Sequence, residues 1–534
     1  MQDRSLSPLQ AERQRYAPKV PPALMSAGPT WEGAAAASQV DPTIASQFPH
    51  TAELLQIRCT SGTLAPAGQR VGVVLSGGQA PGGHNVMTGL YDALSAHGGE
   101  LTGFLGGPIG IIEDKGRVLG AAEIDAHRNT GGFDLIGSGR DKIATEAQFA
   151  ACAEACRRRE LTGLVVIGGD DSNTNAAVLA EWFLANGVST SVVGVPKTID
   201  GDLKAGAVEC SFGFDTATRV YAQLVGNIAR DARSAGKYWH FIRLMGRSAS
   251  HVTLEVALQT QPNFAFIGEE VRANGWTLAQ CIEKIAAVIV DRAGRGQHHG
   301  ICLVPEGLIE FIPEIGRLIE QLNTALANDD GNGSEETILA GLPADSRNVF
   351  RSLPAQIRGQ LLLDRDSHGN VQVSKIDTES LVIAKVQEHL NFSDSFRTQH
   401  HFFGYEGRCA APTNFDADYT YALGRTAASL LASGKSGYIA ALTGLSTEAS
   451  AWEPTGVPLT SLMHIETRKG KPVPVIAKAL VDLDGAPFRY FAERRRQWAD
   501  DDAYLYPGAP QYFGPAEISD GRTMTLTLEA EERA

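Results

Sequence analysis

Leu164-Val165-Val166-Ile167-Gly168-Gly169-Asp170-Asp171-Ser172, followed by Val192-Val193-Gly194-Val195-Pro196-Lys197-Thr198-Ile199-Asp200, sets the fold class. Each stretch is a short aliphatic run that ends in glycine or proline and then in polar side chains. Runs apolar on both faces read as buried parallel strands. A helix is expected between them, from about Asn173 to Leu184. The same unit lies upstream, where Val71-Gly72-Val73-Val74-Leu75 feeds Ser76-Gly77-Gly78 and a helix is expected from Asn85 to His97. Ile301-Cys302-Leu303-Val304, ending in Pro305-Glu306-Gly307, is a further strand with a polar tip. Strands alternating with helices imply βαβ units and a parallel sheet. Open α/β sheets bind ligands at the carboxyl ends of their strands, so the polar tips are where chemistry is expected.

Outward from these units the pattern weakens. Residues 1–68 are polar with a Pro/Ala-rich stretch and read as an N-terminal extension of short helices on the main body. Residues 310–395 form an Ile/Leu-rich helical insertion. Within it, Asp329–Ser334 reads as an exposed loop, and residues 361–376 as a β-hairpin with its turn at His368-Gly369-Asn370. The run Asp364-Arg365-Asp366-Ser367-His368-Gly369 faintly resembles a calcium loop, but His368 and Lys375 stand where oxygen ligands are needed. The sheet pattern resumes after Phe402, and a charged tail covers 500–534.

Composition narrows the function classes. The 534 residues are 43% apolar and 20% charged, an ordinary globular mixture long enough for two or more domains. A net charge of −14 argues against nucleic acid or an anionic membrane surface as the main partner, while leaving room for a local basic pocket. Seven scattered cysteines without a CxxC pair argue against a disulfide framework or zinc site and suit a reducing cytoplasm. The charged first twenty residues are no secretory signal, and no run of 18 apolar residues exists to span a membrane.

The polar tips carry the candidate chemistry. Ser76-Gly77-Gly78-Gln79-Ala80-Pro81-Gly82-Gly83-His84-Asn85 is either a tight strand-to-helix turn or a cradle of backbone N–H groups for a phosphate. Asp170 and Asp171 open a helix, where one acid suffices as a cap; the second is explained by a magnesium site bridging substrate phosphates. Lys197, Thr198, Asp200 and Asp202 combine a cation, a hydroxyl and two acids, read as a polar turn or as a catalytic set. In the second reading an acid takes a hydroxyl proton and the lysine neutralises charge on a transferred phosphoryl group. Arg247, Glu306 and Arg408 are surface residues or grips on a phosphorylated sugar.

Taken together, GGQAPGGHN, GGDDSNTN, PKTIDGDL, GFDTAT, KYWHFIRLMGRSASH, PEGL and FFGYEGR, in this order, resemble the phosphofructokinase family, in its long pyrophosphate-using branch. The resemblance is strong over about 70–310 and 400–430. It implies two Rossmann-like α/β domains with the N-terminal extension and the helical insertion added. A pyrophosphate-binding domain is expected over 69–212 plus about 405–450. A sugar-phosphate-binding domain is expected over 213–309, about 396–404 and part of 451–534. The resemblance makes Asp200 the general base for the sugar 1-hydroxyl, grouped with Lys197 and Asp171 as catalytic; Thr198 and Asp202 flank it near the reacting phosphoryl group, and Thr198, Ile199 and Asp200 are expected to contact fructose 6-phosphate. It makes Gly78 and Arg140 donor-phosphate contacts and Asp170 the magnesium-associated acid. Met245, Gly246, Arg247, Glu306, Tyr405 and Arg408 match fructose 6-phosphate contacts, and Lys237 and Tyr238 a pair that reaches a neighbouring subunit's site in a homodimer.

The donor is read from two substitutions. ATP-using relatives resemble GGDGS and PGTID, with glycines where this chain has Asp171 and Lys197. A carboxylate at the first position fills space and repels a nucleotide's α-phosphate, by about 4 kcal/mol at 4 Å and an effective dielectric of ~20. Lys197 supplies a cation for a small, highly charged donor. The expected reaction is reversible transfer from pyrophosphate to fructose 6-phosphate, serving glycolysis and gluconeogenesis. The alternatives are an ATP-dependent 6-phosphofructokinase and a non-catalytic sugar-phosphate-binding subunit.

Overall fold

The computed structural model describes residues 7–25, 30–35, 40–60, 68–327, 335–363, 371–391, 396–468, 471–515, 519 and 522–533. The chain divides into two compact units. The first comprises Met1–Ala217, Tyr405–Ala479 and Pro510–Arg522; the second comprises Thr218–Gly404, Leu480–Ala509 and Thr523–Ala534.

Strands are numbered along the chain. The first unit holds β1 (Thr30–Ala35), β2 (Gln56–Thr60), β3 (Arg70–Leu75), β4 (Glu100–Phe104), β5 (Gly116–Val118), β6 (Gly163–Gly168) and β7 (Ser191–Pro196). The second holds β8 (Trp239–Leu244), β9 (Phe264–Ala265), β10 (Gly300–Pro305) and β11 (Thr398–Phe403). The first resumes with β12 (Tyr438–Thr443), β13 (Glu453–Pro458), β14 (Met463–Arg468) and β15 (Lys471–Ile476).

In the first unit nine strands form one sheet in the order β1-β2-β13-β12-β7-β6-β3-β4-β5. The central strands β12, β7, β6, β3 and β4 are parallel. Val71, Val73, Leu75, Leu164, Ile167, Val192 and Val195 are all buried, as continuous aliphatic runs require when helices cover both faces. The chain leaves β3 for β4 on one side and for β6 on the other, so the strand order reverses at β3/β6. That is the point at which such sheets leave a crevice for ligands.

Two expectations are corrected here. The N-terminal extension does contain the short helices Pro8–Gln14 and Pro42–Gln47, but it also lends β1 and β2 to the sheet. Ile57 and Cys59 alternate inward along β2, and β2 covers the edge of β13. The expected hairpin over 361–376 is not formed at its flanks. Leu361–Leu363 close the helix Ala355–Leu363, because Ile357 and Leu361, four apart, bury on one helical face. Val373–Lys375 make a single 3-10 turn. The turn at 368–370 and the loop Asp329–Ser334 lie outside the described residues.

The second unit is a four-stranded parallel sheet, β11-β8-β10-β9. Trp239, Phe241, Cys302 and Val304 on its strands bury against Ile285 and Ile289 of the helix Leu278–Gly294. Leu318, Phe350, Leu361, Leu381 and Val382 from the 310–395 stretch join this core, so that stretch is part of the unit's interior. In the tail, the N–H groups of Met524 and Thr525 donate to the buried Glu255 carboxylate at 2.8 and 2.9 Å.

In the first unit a buried carboxylate fixes the helix Asn414–Ala432 against the chain entering the helix Phe214–Ala235. Asp416 accepts from Gly213 N at 3.1 Å, Thr216 N at 2.9 Å and Thr216 Oγ1 at 2.5 Å. Burial, with Asp215 close by, pushes its carboxyl up to about 7. Asp416→Ala orphans two buried N–H groups, so a loss of about 2 kcal/mol or more is expected in denaturant unfolding. An unchanged midpoint and slope would refute this account of Asp416.

Candidate active site

Three adjacent parallel strands, β3, β6 and β7, end side by side, and each tip carries one of the sequence motifs. After β3 the chain turns at Gly77, whose φ of +88° suits glycine, and Gly77 N donates to Gly139 O at 2.8 Å. After β6, Asp170 and Asp171 begin the helix Asp170–Ala185. Its start is tied down by Asn173, whose side-chain amide donates to Gly168 O at 2.6 Å and Val195 O at 3.3 Å. After β7 come Lys197, Thr198, Ile199, Asp200 and Asp202. Lys197 N donates to Gly168 O at 2.9 Å, and Asp200 N donates to Thr198 Oγ1 at 3.1 Å.

The side chains converge over the glycine loop. A Cβ on Gly77 would lie 3.2 Å from Lys197 Nζ. A Cβ on Gly78 would lie 3.3 Å from Arg408 Nη1 and 3.5 Å from Arg140 Nη2. Three cationic side chains therefore border two glycines that have bare backbone. Lys197 is only 6% exposed, and burial pushes it down to about 8. Asp200 and Asp170 oppose that shift, while Arg408 and Arg140 add to it. Asp202 is likewise buried; desolvation, then Asp200 and Asp170, push its carboxyl up to about 7. Three cations bordering two glycines, with acids near them, are chemically suited to a compact polyanion.

The sequence motifs of the second unit gather at the carboxyl ends of β8 and β10. Glu306, 3% exposed, accepts from Gly246 N at 3.1 Å through Oε2. This links the Met245-Gly246-Arg247 turn to the tip of β10, and Arg247 is exposed beside it. Met245 N donates to Phe403 O at 3.0 Å. Lys237 and Tyr238 precede β8, with the ammonium 5.3 Å from the ring centre. The six residues of β8 separate them from Arg247 by roughly 20 Å, so the structure does not bring this pair to the same end.

A family model, phosphofructokinase, matches residues 70–431. The chain belongs to the phosphofructokinase family. It is 51% identical to the pyrophosphate–fructose 6-phosphate 1-phosphotransferase of Treponema pallidum (strain Nichols), over 98% of this chain and 97% of that protein. It is 49% identical to the protein of that name from Porphyromonas gingivalis, over 99% and 100%. It is 52% identical to subunit beta 2 of the Arabidopsis thaliana enzyme, over 87% and 83%. Among solved structures it resembles a pyrophosphate-dependent phosphofructokinase from Nitrosospira multiformis, with a TM-score of 0.55 and 16% identity over 86% of this chain and 96% of that one. At that identity the likeness shows the phosphofructokinase fold.

The structure also fixes the surroundings of Arg408 and brings in Lys478, which the motifs do not include. Arg408, matched to the sugar phosphate, has its guanidinium against Gly78 and beside Arg140, 5.1 Å from the Tyr405 ring, which is 71% exposed. Lys478 was not anticipated. It follows β15, and its Nζ lies 3.5 Å from Asp170 Oδ2. The adjoining backbone is fixed, since Ala479 N donates to Asp202 O at 2.7 Å and Ile476 N to Thr174 Oγ1 at 2.9 Å. Its one sequence signal is an apolar run ending in a cation, Val475-Ile476-Ala477-Lys478.

Gly77→Ala tests the cradle. A Cβ there strains the left-handed backbone by about 1–3 kcal/mol and crowds the Lys197 ammonium. Inorganic pyrophosphate is expected to bind at least about tenfold more weakly by calorimetric titration; full affinity would mean that the loop does not hold the anion.

Proposed function

We propose that the chain reversibly transfers a phosphoryl group from pyrophosphate to the 1-hydroxyl of fructose 6-phosphate, yielding fructose 1,6-bisphosphate and phosphate. The observation that carries this reading is the buried Lys197 ammonium over Gly77, with Arg140 and Arg408 at Gly78. The relatives named for this reaction, near 50% identity over almost the whole chain, support it.

In this mechanism Asp200 accepts the proton of the sugar 1-hydroxyl as the oxygen attacks. Asp202 keeps its own proton up to about pH 7 and serves as a hydrogen-bond donor beside it. Thr198 and Ile199 shape the turn that presents Asp200. Lys197 faces the transferred group and neutralises charge as the bond to the leaving phosphate breaks, while Gly78, Arg140 and Arg408 hold that phosphate. Met245, Gly246, Arg247, Glu306 and Tyr405 are assigned to fructose 6-phosphate. A donor without adenosine also explains Asp171 at the helix start, where its charge and bulk disfavour a nucleotide's α-phosphate.

A divalent metal fits the site. Asp170, half-buried at a helix N-terminus beside Asp171, offers the one or two carboxylates with which magnesium joins substrate phosphates. The ion, taken to be Mg2+, would neutralise phosphate charge. Lys478 Nζ, 3.5 Å from Asp170 Oδ2, would share this carboxylate with the ion. Lys237 and Tyr238, at the far end of β8 from Arg247, are assigned to a second copy's site in a homodimer. The enzyme is assigned to the cytoplasm; its seven cysteines are free thiols, and no described helix is long and apolar enough to cross a membrane.

A coupled assay with each donor decides the reaction: turnover is expected with pyrophosphate, and turnover with ATP alone would overturn the assignment. Asp200→Asn should lower kcat by about 10²–10⁴ while the sugar phosphate still binds. Undiminished kcat would remove Asp200 as the base.

The pH dependence follows from Lys197. The ammonium is charged below about pH 8 and loses its proton above it, so kcat/KM for pyrophosphate should fall as pH rises through about 8. In Lys197→Arg this falling limb should disappear, because guanidinium stays charged. If the limb persists unchanged in that variant, another group titrates.

A further inference from the structure

In the first unit, just beyond the glycine loop, His84, His127 and Asp134 come close to one another. A ring nitrogen of each histidine and a carboxylate oxygen of Asp134 lie within 4.8 Å of one another. His84 is fully buried, and its Nε2 is 3.6 Å from Asp134 Oδ1. The two imidazoles meet edge to face, with centroids 4.8 Å apart.

The surrounding hydrogen bonds settle both tautomers. His127 Nδ1 lies 2.7 Å from Glu123 O, and a carbonyl only accepts, so Nδ1 carries the proton and Nε2 the lone pair. Thr130 Oγ1 donates its proton to His127 O at 2.8 Å, so toward His84 Nδ1, also 2.8 Å away, it accepts. His84 therefore also holds its lone pair at Nε2. Beside the His84 lone pair is a carboxylate, and Leu135 N reaches His84 Nε2 only at a long 3.4 Å. Two imidazole lone pairs and an anion turned together form an acceptor-only cluster, which a cation satisfies. The outer nitrogens, each bonded to a fixed oxygen, are arranged as in metal-ligating histidines.

We propose that His84, His127 and Asp134 bind one divalent transition-metal ion of the zinc class, at a site separate from the carboxylates of the sheet end. Zinc–nitrogen bonds of about 2.0–2.1 Å put tetrahedral ligands about 3.4 Å apart, close to the His84–Asp134 spacing. Asp134, 79% exposed, can rotate to close the wider pairs, and water takes the fourth position. His84 is the second residue of the helix Gly83–Ser95, directly after the glycine loop. The ion would thus pin that helix start to the 127–134 segment.

The test uses the metal-stripped full chain with Mg2+ present in excess and Zn2+ as the titrant. One Zn2+ per chain is expected by calorimetry, and Co2+ should give the visible spectrum of a tetrahedral site. His127→Ala should lose that equivalent and the Co2+ spectrum, and Asp134→Asn should bind Zn2+ at least about tenfold more weakly. Asp134 is exposed, so this second variant decides the matter if His127→Ala fails to fold. Zinc binding of equal stoichiometry and affinity in wild type and Asp134→Asn would overturn the proposal, as would no binding at micromolar Zn2+.

Discussion

The Lys197 ammonium is nearly shut off from solvent at the end of β7, and removing such a cation from water costs several kcal/mol. What surrounds it follows from that cost. Asp200 and Asp170 lie near enough to favour the charged form, yet Arg140 and Arg408 crowd in from the Gly78 side and disfavour it. Three cations thus border two glycines, with Asp170 and Asp200 close enough to act on Lys197. A small polyanion entering the loop relieves the repulsion among the cations. The site is in this sense preorganised: its unfavourable electrostatics are set up during folding and relieved on binding.

The sheet supplies the rigidity this requires. Lys197 N and the Asn173 amide are hydrogen-bonded to Gly168 O at the tip of β6, and Gly77 N to Gly139 O. The reversal of strand order between β3 and β6 is where such a sheet leaves a crevice. Segments remote in the chain then close the site. Arg408 comes from just before the helix Asn414–Ala432, and Lys478 from just after β15. Both reach carboxylates or glycines more than two hundred residues away in sequence, which is why a charge at the sheet end depends on packing far from it.

Much of this is legible in the amino-acid sequence. Val71–Leu75, Leu164–Ile167 and Val192–Val195 announce buried parallel strands, since only a strand covered on both faces tolerates such unbroken aliphatic runs. Their tips, with Gly77-Gly78, Asp170-Asp171 and Lys197 to Asp202, announce the chemistry. Less legible were β1 and β2. Gln56–Thr60 is five residues with two inward side chains, a signal too short to stand out until β13 offers it an edge. The segment after Leu361 misled because its turn-rich polar centre suggests a hairpin, whereas Ile357 and Leu361 bury on a helical face.

From the sequence alone come the parallel α/β class, the family, and the identity of most polar groups at the sheet end, because these rest on local periodicity and on short motifs. Tertiary structure alone decided that Arg408 stands at Gly78, that Lys478 meets Asp170, and that His84, His127 and Asp134 face one another. Those are distances between side chains far apart in sequence, set by how helices and hairpins pack, and local sequence carries no measure of them.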